Sequence, residues 1–105
     1  MTGSKEAFAK DYGLRDQIQR AASSIMANIA KGFDGGSKRE FIKFLGYAIR
    51  SATEVQSHLY VALDQGYLDQ QRFTVLYDLT VQVKRLISGF IRYLRSQSRS
   101  SNVGP

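Results

Sequence analysis

The sequence predicts an all-α fold, an up-and-down antiparallel bundle built on three long helices. Apolar residues recur at three- and four-residue steps along most of the chain, and no segment alternates in the manner of a strand. The one proline is the last residue, so no long segment contains a residue that breaks helices. Short glycine-containing links separate the three segments, and such links favour antiparallel neighbours.

The first predicted helix covers residues 14–33. Its apolar face comprises Leu14, Ile18, Ala21 or Ala22, Ile25 and Ile29. The sequence "DGG" follows, and Gly35 or Gly36 can adopt the left-handed conformation that ends a helix.

The second predicted helix covers residues 37–65. Ser37 and Glu40 have the spacing of a capping box, which is the sharpest local signal in the chain. The apolar face that follows comprises Phe41, Leu45, Ala48, Ala52, Val55, Leu59 and Ala62. Gly66 is the predicted stop.

The third predicted helix covers residues 69–96, with Asp69 as its N-cap. Its main apolar stripe comprises Leu76, Leu79, Val83, Leu86, Phe90 and Leu94, and a second ridge of Phe73, Thr80, Ile87 and Ile91 widens it. Residues 97–105 lack apolar anchors and are predicted to be a disordered tail, so the helical domain spans residues 1–96.

The apolar surface is wider than three helices can cover, which predicts self-association. Asn28 lies among the apolar residues of the first helix, and a buried amide of this kind is typical of a contact that sets helix register. Arg20 and Glu54 are expected to form an ion pair between the first two helices. The residues assigned to oligomer or interhelix packing are Arg20, Ile25, Asn28, Ile29, Phe41, Phe44, Leu45 and Glu54.

The formal net charge is +6, and it is concentrated at the C-terminus. Residues 84–105 contain five basic residues and no acidic one, whereas residues 1–83 are nearly balanced. A basic surface favours anionic partners, nucleic acid first, although helix-end cations that suit the helix dipole explain the same pattern. The candidate nucleic-acid-binding residues are Lys38, Arg39, Lys43, Lys84, Arg85, Arg92, Arg95 and Arg99.

Candidate catalytic chemistry is sparse. The chain has no cysteine and one histidine, so disulfides, thiolate metal sites and multi-histidine metal sites are excluded. Glu54 and His58 are four residues apart and could form an acid–base pair, but a structural contact is the more common role of such a pair. The sequence therefore predicts no enzyme, no cofactor and no metal. Without a membrane-spanning run or a signal peptide, the expected location is the cytoplasm.

Two stretches carry a family resemblance: "QIQRAASSIMANIAKGF" and "SKREFIKFLGYAIRSATEVQSHL". They resemble the four-helix bundle proteins encoded in intervening sequences of 23S rRNA genes. The matching residues are Gln17, Arg20, Ala21, Ala22, Ser24, Ala27, Asn28, Ile29, Ala30, Gly32, Ser37, Glu40, Phe41, Phe44, Leu45, Ala48, Ser51 and Glu54. Departures are Met26, Lys31 and Arg50, where the family has proline, glutamate and a small residue.

The resemblance implies a bundle of the four-helix type, in which the first helix is short or missing because residues 1–12 cannot supply it. It further implies a cytoplasmic bacterial homopentamer without catalytic activity. A related group, which serves diversity-generating retroelements, binds a reverse transcriptase and nucleic acid. Two hypotheses follow: a scaffold that binds RNA, DNA or a nucleoprotein partner, or a purely structural oligomer.

Overall fold

A computed structural model describes residues 11–103, and over this range the chain forms three helices and no strand. We number them α1 (Tyr12–Asp34), α2 (Lys38–Asp64) and α3 (Gln70–Val103). The all-α, antiparallel prediction is confirmed for this part of the chain. The prediction of a short or missing first helix concerns residues 1–12, most of which lie outside the described residues.

Side-chain caps set the helix starts. The Ser37 hydroxyl accepts a hydrogen bond from the backbone N–H of Glu40 at 3.1 Å, and an Asp69 carboxylate oxygen accepts one from that of Arg72 at 2.8 Å. Both predicted caps are therefore confirmed. Asp11 caps α1 in the same way, through the backbone N–H three residues ahead at 3.0 Å; aspartate is a preferred N-cap residue, but this cap was not among the predictions.

Glycines mark the first two helix ends. Gly36 and Gly66 have φ of 84° and 79°, a region that residues with a Cβ avoid. The third helix has no such stop before Gly104, and it continues to Val103 instead of ending near residue 96. Polar Ser, Gln and Arg residues do not prevent helical hydrogen bonding, so the absence of apolar anchors was a poor guide to where this helix ends.

Helix α2 lies in the middle and packs against both of its neighbours. One core cluster joins Leu45 and Ala48 of α2 to Ile87, Ile91 and Leu94 of α3. The other joins Ala21 of α1 and Val55 and Leu59 of α2 to Phe73 of α3. The predicted apolar faces of α1 and α2 therefore form this core, with Ile25 of α1 contacting both clusters.

The three helices form an open layer rather than a closed bundle. Its extents are 65 × 23 × 14 Å, and its radius of gyration is 17.3 Å, against about 13 Å for a compact domain of this length. Ala48 and Ala52, at the centre of α2, are completely buried, but among the described residues no large side chain is. The layer therefore has a core only one helix deep.

Helix α3 turns a different stripe toward α2 than the sequence suggested. The predicted second ridge, Phe73, Thr80, Ile87 and Ile91, is buried, together with Leu94. The rest of the predicted main stripe, from Leu76 to Phe90, is exposed or half-buried. The two stripes are offset by one residue, or about 100° around the helix, and α2 can cover only one of them.

Candidate functional site

Apolar side chains of α1 and α3 form a surface that we call the apolar face. It contains Ile25, Ile29 and Phe33 of α1 and Leu76, Leu79, Val83, Leu86, Phe90 and Tyr93 of α3. Aromatic rings join its two sides through α2, because Phe41 lies 6.1 Å from Phe33 and 5.4 Å from Phe90 between ring centroids. Phe33 and Leu86 are each 74% exposed, so much of this surface is open to solvent.

Four basic residues of α3 lie on the other side of its buried stripe, whereas Arg72, near the start of the helix, lies on the side of Leu76. At 100° per residue, Lys84, Arg85, Arg92 and Arg95 all fall on that other side, and the exposed positions from 75 to 93 on the apolar side hold no charged residue. Helix α3 therefore presents a basic side and an apolar side, with α2 packed between them.

The basic side opens into a groove of about 480 Å³ between α2 and α3, which we call the basic groove. Lys84, Arg85 and Arg92 line it beside Gln56. Lys84 Nζ donates a hydrogen bond to Gln56 Oε1 at 3.2 Å, and Gln56 Nε2 donates to Thr80 Oγ1 at 2.9 Å. The buried amide of Gln56 thus holds one of the three cations in place. Its role could not be read from the sequence.

The remaining candidate cations lie at the same end of the layer. Lys38, Arg39 and Lys43 belong to the first turns of α2, and the contact between Phe41 and Phe90 places those turns beside the C-terminal half of α3. Lys43 Nζ is 4.0 Å from the Glu40 carboxylate. Arg95 is exposed one turn beyond the groove, and the side chain of Arg99 lies outside the described residues.

Comparison with known protein families gives a match over most of the chain. A family model described as 23S rRNA-intervening sequence protein matches residues 2–89. The chain belongs to this family. The match includes all of α1 and α2 and the part of α3 that carries the core contacts as far as Ile87. Comparison with curated proteins and with solved structures returns no match.

The description of the 23S rRNA-intervening sequence protein family names no activity. Within residues 11–103, no helix is long and apolar enough to cross a membrane. No group of three or more histidine, aspartate and glutamate side chains in that range could hold a metal ion.

The expected ion pair between Arg20 and Glu54 is replaced by one within α1. Arg20 Nε lies 2.8 Å from the carboxylate of Asp16, one turn earlier, and both side chains are largely exposed. A partner on the same helix can be reached without ordering two long side chains across a gap, so the local pair forms. Arg20, Glu54 and His58 line a separate groove between α1 and α2.

Asn28 was predicted to make the contact that sets the register between helices. In the structure it shares this role with two serines. Asn28 Nδ2 donates to the carbonyl oxygen of Ser24 at 2.8 Å and to its hydroxyl at 3.0 Å, both within α1. The bond between helices runs from Ser51 Oγ to Ser24 Oγ at 2.8 Å, and Ser51 Oγ also lies 3.2 Å from the Tyr47 carbonyl. Asn28 therefore orients Ser24, and Ser24 contacts α2.

The serine contact gives a testable prediction. We expect Ser24→Ala and Ser51→Ala each to lower the free energy of unfolding by about 1 kcal/mol, because each removes a link from a half-buried hydrogen-bonded chain. The double variant should lose less than the sum of the two, with a coupling of about 0.5 kcal/mol or more in urea denaturation. Thr53→Ala is the control, since Thr53 is exposed and bonds only within its own helix. Strict additivity would contradict a direct contact between the serines.

One contact ties the start of α1 to the link between α2 and α3. Tyr67 Oη donates a hydrogen bond to Asp11 Oδ2 at 2.9 Å. The backbone N–H of Leu14 and the Tyr67 hydroxyl both stabilise the ionised carboxylate, so the pKa of Asp11 lies below its ordinary value. The same bond stabilises the neutral phenol and raises the pKa of Tyr67. Neither residue was singled out by the sequence, because they are far apart along the chain.

Proposed function

We propose that this protein is a non-enzymatic scaffold that assembles with itself through the apolar face and binds nucleic acid, RNA first, through its basic surface. One observation carries the proposal: the cations of α3 from Lys84 to Arg95 and its exposed apolar residues lie on opposite sides of the buried stripe. Self-assembly through the apolar side therefore leaves the basic groove free for an anionic partner.

The chemistry of the basic groove suits the phosphate backbone. Lys84, Arg85 and Arg92 supply charge, and no acidic residue lines the groove with them. Guanidinium groups bind phosphate oxygens in bidentate fashion, and contacts of that kind position a nucleic acid without reading its sequence. The contacts repeat in every copy of an assembly, so weak sites add through multivalency.

The exposed tyrosines add little to this surface. Tyr93 contacts Phe90 on the apolar face, and Tyr60 contacts the rings of Phe73 and Tyr77. Both tyrosines are engaged with neighbouring aromatic rings, which favours packing over base stacking as their role. Binding is therefore electrostatic and tolerant of sequence.

The test of nucleic-acid binding is its salt dependence. We expect affinity for a generic single-stranded RNA to fall steeply with salt, and the triple variant Arg85→Gln, Arg92→Gln, Arg95→Gln to reduce the slope of log affinity against log salt by about 2, at about 0.7 for each lost phosphate contact. Fluorescence anisotropy across a salt series measures the slope.

The matched control is Arg15→Gln, Arg20→Gln, Arg72→Gln. It removes the same charge from the opposite end of the layer, so the slope should stay close to that of the unmodified protein. An equal reduction of the salt slope in the two triple variants would show that net charge alone drives binding. Undetectable binding near physiological salt would reject the nucleic-acid role.

The second candidate function is a purely structural oligomer. The exposed apolar face favours it, because that surface requires a partner whether or not RNA is bound. The salt series separates the two functions, since a structural oligomer keeps its mass and shows no RNA affinity. Five-fold assembly and a reverse transcriptase partner, which the family resemblance implies, remain predictions.

A further inference from the structure

The cations of the basic groove lie at different depths. Lys84 is half-buried and donates a hydrogen bond to the buried amide of Gln56 at the floor of the groove. Arg85 and Arg92 are exposed, and we call them the rim arginines. A ligand narrow enough to enter the groove can contact all three cations, whereas a wider ligand can contact only the rim arginines.

The polar residues of α3 in the groove form a single row. Lys84, Ser88 and Arg92 are four residues apart, so they lie on nearly the same face of the helix at steps of about 6 Å along its axis. The groove volume of about 480 Å³ is that of a site for one small ligand. A row of donors in a groove of this size suits a short stretch of phosphate backbone that runs parallel to α3.

A chain of hydrogen bonds orders the recessed cation. Lys84 Nζ donates to Gln56 Oε1 at 3.2 Å, Gln56 Nε2 donates to Thr80 Oγ1 at 2.9 Å, and Thr80 Oγ1 donates to the Tyr77 carbonyl oxygen at 2.6 Å. An ammonium group has three N–H donors, and the contact with Gln56 uses one of them. Because Lys84 is already partly ordered, a phosphate that binds it removes less side-chain freedom than it would from a lysine in solvent.

We propose that the basic groove binds the backbone of one single strand of RNA along α3, and that an RNA duplex contacts only the rim arginines. The axes of packed helices are about 8–10 Å apart, whereas the major groove of a DNA duplex alone is about 12 Å wide. A duplex is therefore too wide to enter the groove and reach Lys84. A single strand has a flexible backbone that can follow a groove lined by cations.

The inference rests on the nucleic-acid part of the proposed function and names the form of RNA that is bound. A diffuse basic surface gives the opposite expectation, because affinity would then follow net charge and would not depend on an uncharged residue at the groove floor. The role of Gln56 in positioning Lys84 distinguishes a defined site from a diffuse surface.

A substitution that keeps the net charge tests the site. Gln56→Met keeps an unbranched side chain and removes both amide hydrogen bonds, while Thr80 retains its bond to the Tyr77 carbonyl. We expect affinity for a fluorescent oligouridylate to fall about fivefold, because Lys84 must then be ordered on binding. Affinity for an adenylate–uridylate RNA duplex should stay unchanged. Fluorescence anisotropy near physiological salt measures both.

The control for this variant is Gln82→Met, at an exposed position of α3 outside the groove, which should change neither affinity. Circular dichroism checks that the helix content is kept. Equal losses of affinity for the single strand and the duplex in Gln56→Met would overturn the proposal, as would an unchanged affinity for the single strand.

Removal of the recessed charge gives an independent test, which decides alone where Gln56→Met loses helix content. Lys84→Gln should reduce the slope of log affinity against log salt by about 0.7 for the single strand, the value of one lost phosphate contact, and leave the slope for the duplex nearly unchanged. Arg72→Gln removes the same charge outside the groove and should leave both slopes nearly unchanged. Equal slope changes for the two RNAs in Lys84→Gln overturn the proposal.

The outcomes separate this inference from the proposed function. Salt-dependent RNA affinity that is independent of Gln56 and Lys84 would overturn the single-strand site and leave the nucleic-acid role intact. Undetectable affinity for both the oligouridylate and the duplex would reject the nucleic-acid role, and the single-strand site with it.

Discussion

Gly32→Val is expected to lower the free energy of unfolding by about 3 kcal/mol, at the upper end of what overpacking a core contact costs. Gly32 is buried where α1 crosses the start of α2. A Cβ at this position would lie 2.9 Å from Phe41 Cδ1, 3.0 Å from Phe44 Cβ and 3.2 Å from the Phe41 carbonyl oxygen. Two of these atoms belong to or adjoin the backbone of α2, so the helices would have to separate to admit a side chain.

The other substitutions at this contact separate steric overlap from helix propensity. Gly32→Ala should lose less than Gly32→Val, because alanine regains up to about 1 kcal/mol of helix propensity over glycine. Gly46→Val is the matched control, since nothing lies within 4 Å of a Cβ at that position of α2. Chemical denaturation followed by circular dichroism measures all three. Similar losses of unfolding free energy in Gly32→Val and Gly46→Val would show that the α1–α2 contact is not close.

Leu45→Ala is expected to lower the free energy of unfolding by about 3 kcal/mol. Leu45 is only 3% exposed and belongs to the cluster that joins α2 to α3. Its loss would leave a cavity in a core that is one helix deep, with little surrounding structure to close over it. A domain of this size has a total stability of about 5–15 kcal/mol, so the loss is a large fraction of the whole.

Leu86→Ala is the control, because it removes the same atoms from the exposed apolar face. The Leu45→Ala loss should be the same over a hundredfold range of protein concentration. The Leu86→Ala loss should be near zero in dilute protein and grow where the chain assembles, since only assembly buries this side chain. A large, concentration-independent loss of stability for Leu86→Ala would mean that this part of the apolar face is already covered within the single chain.

The helices and their caps could be predicted from the sequence because they depend on local chemistry. Ser37 and Asp69 lie three residues before the N–H groups they cap. Gly66 adopts a positive φ at low cost because it has no Cβ. The apolar faces of α1 and α2 were also predictable, since each of these helices carries one dominant stripe. The grouping of basic residues at one end of the layer was also predictable, because antiparallel helices bring the start of α2 beside the C-terminal half of α3.

Only the tertiary structure decided which side chains meet across the layer. Helix α3 carries two stripes of similar quality, and periodicity does not choose between them; the helix turns Ile87 rather than Leu86 toward α2. Ser24 and Ser51 are 27 residues apart, and Arg20 prefers Asp16 to Glu54 because the local partner is within reach. Spacing along a helix determines which residues share a face, whereas the partner of that face depends on how distant segments pack, and the spacing within one helix does not reveal that packing.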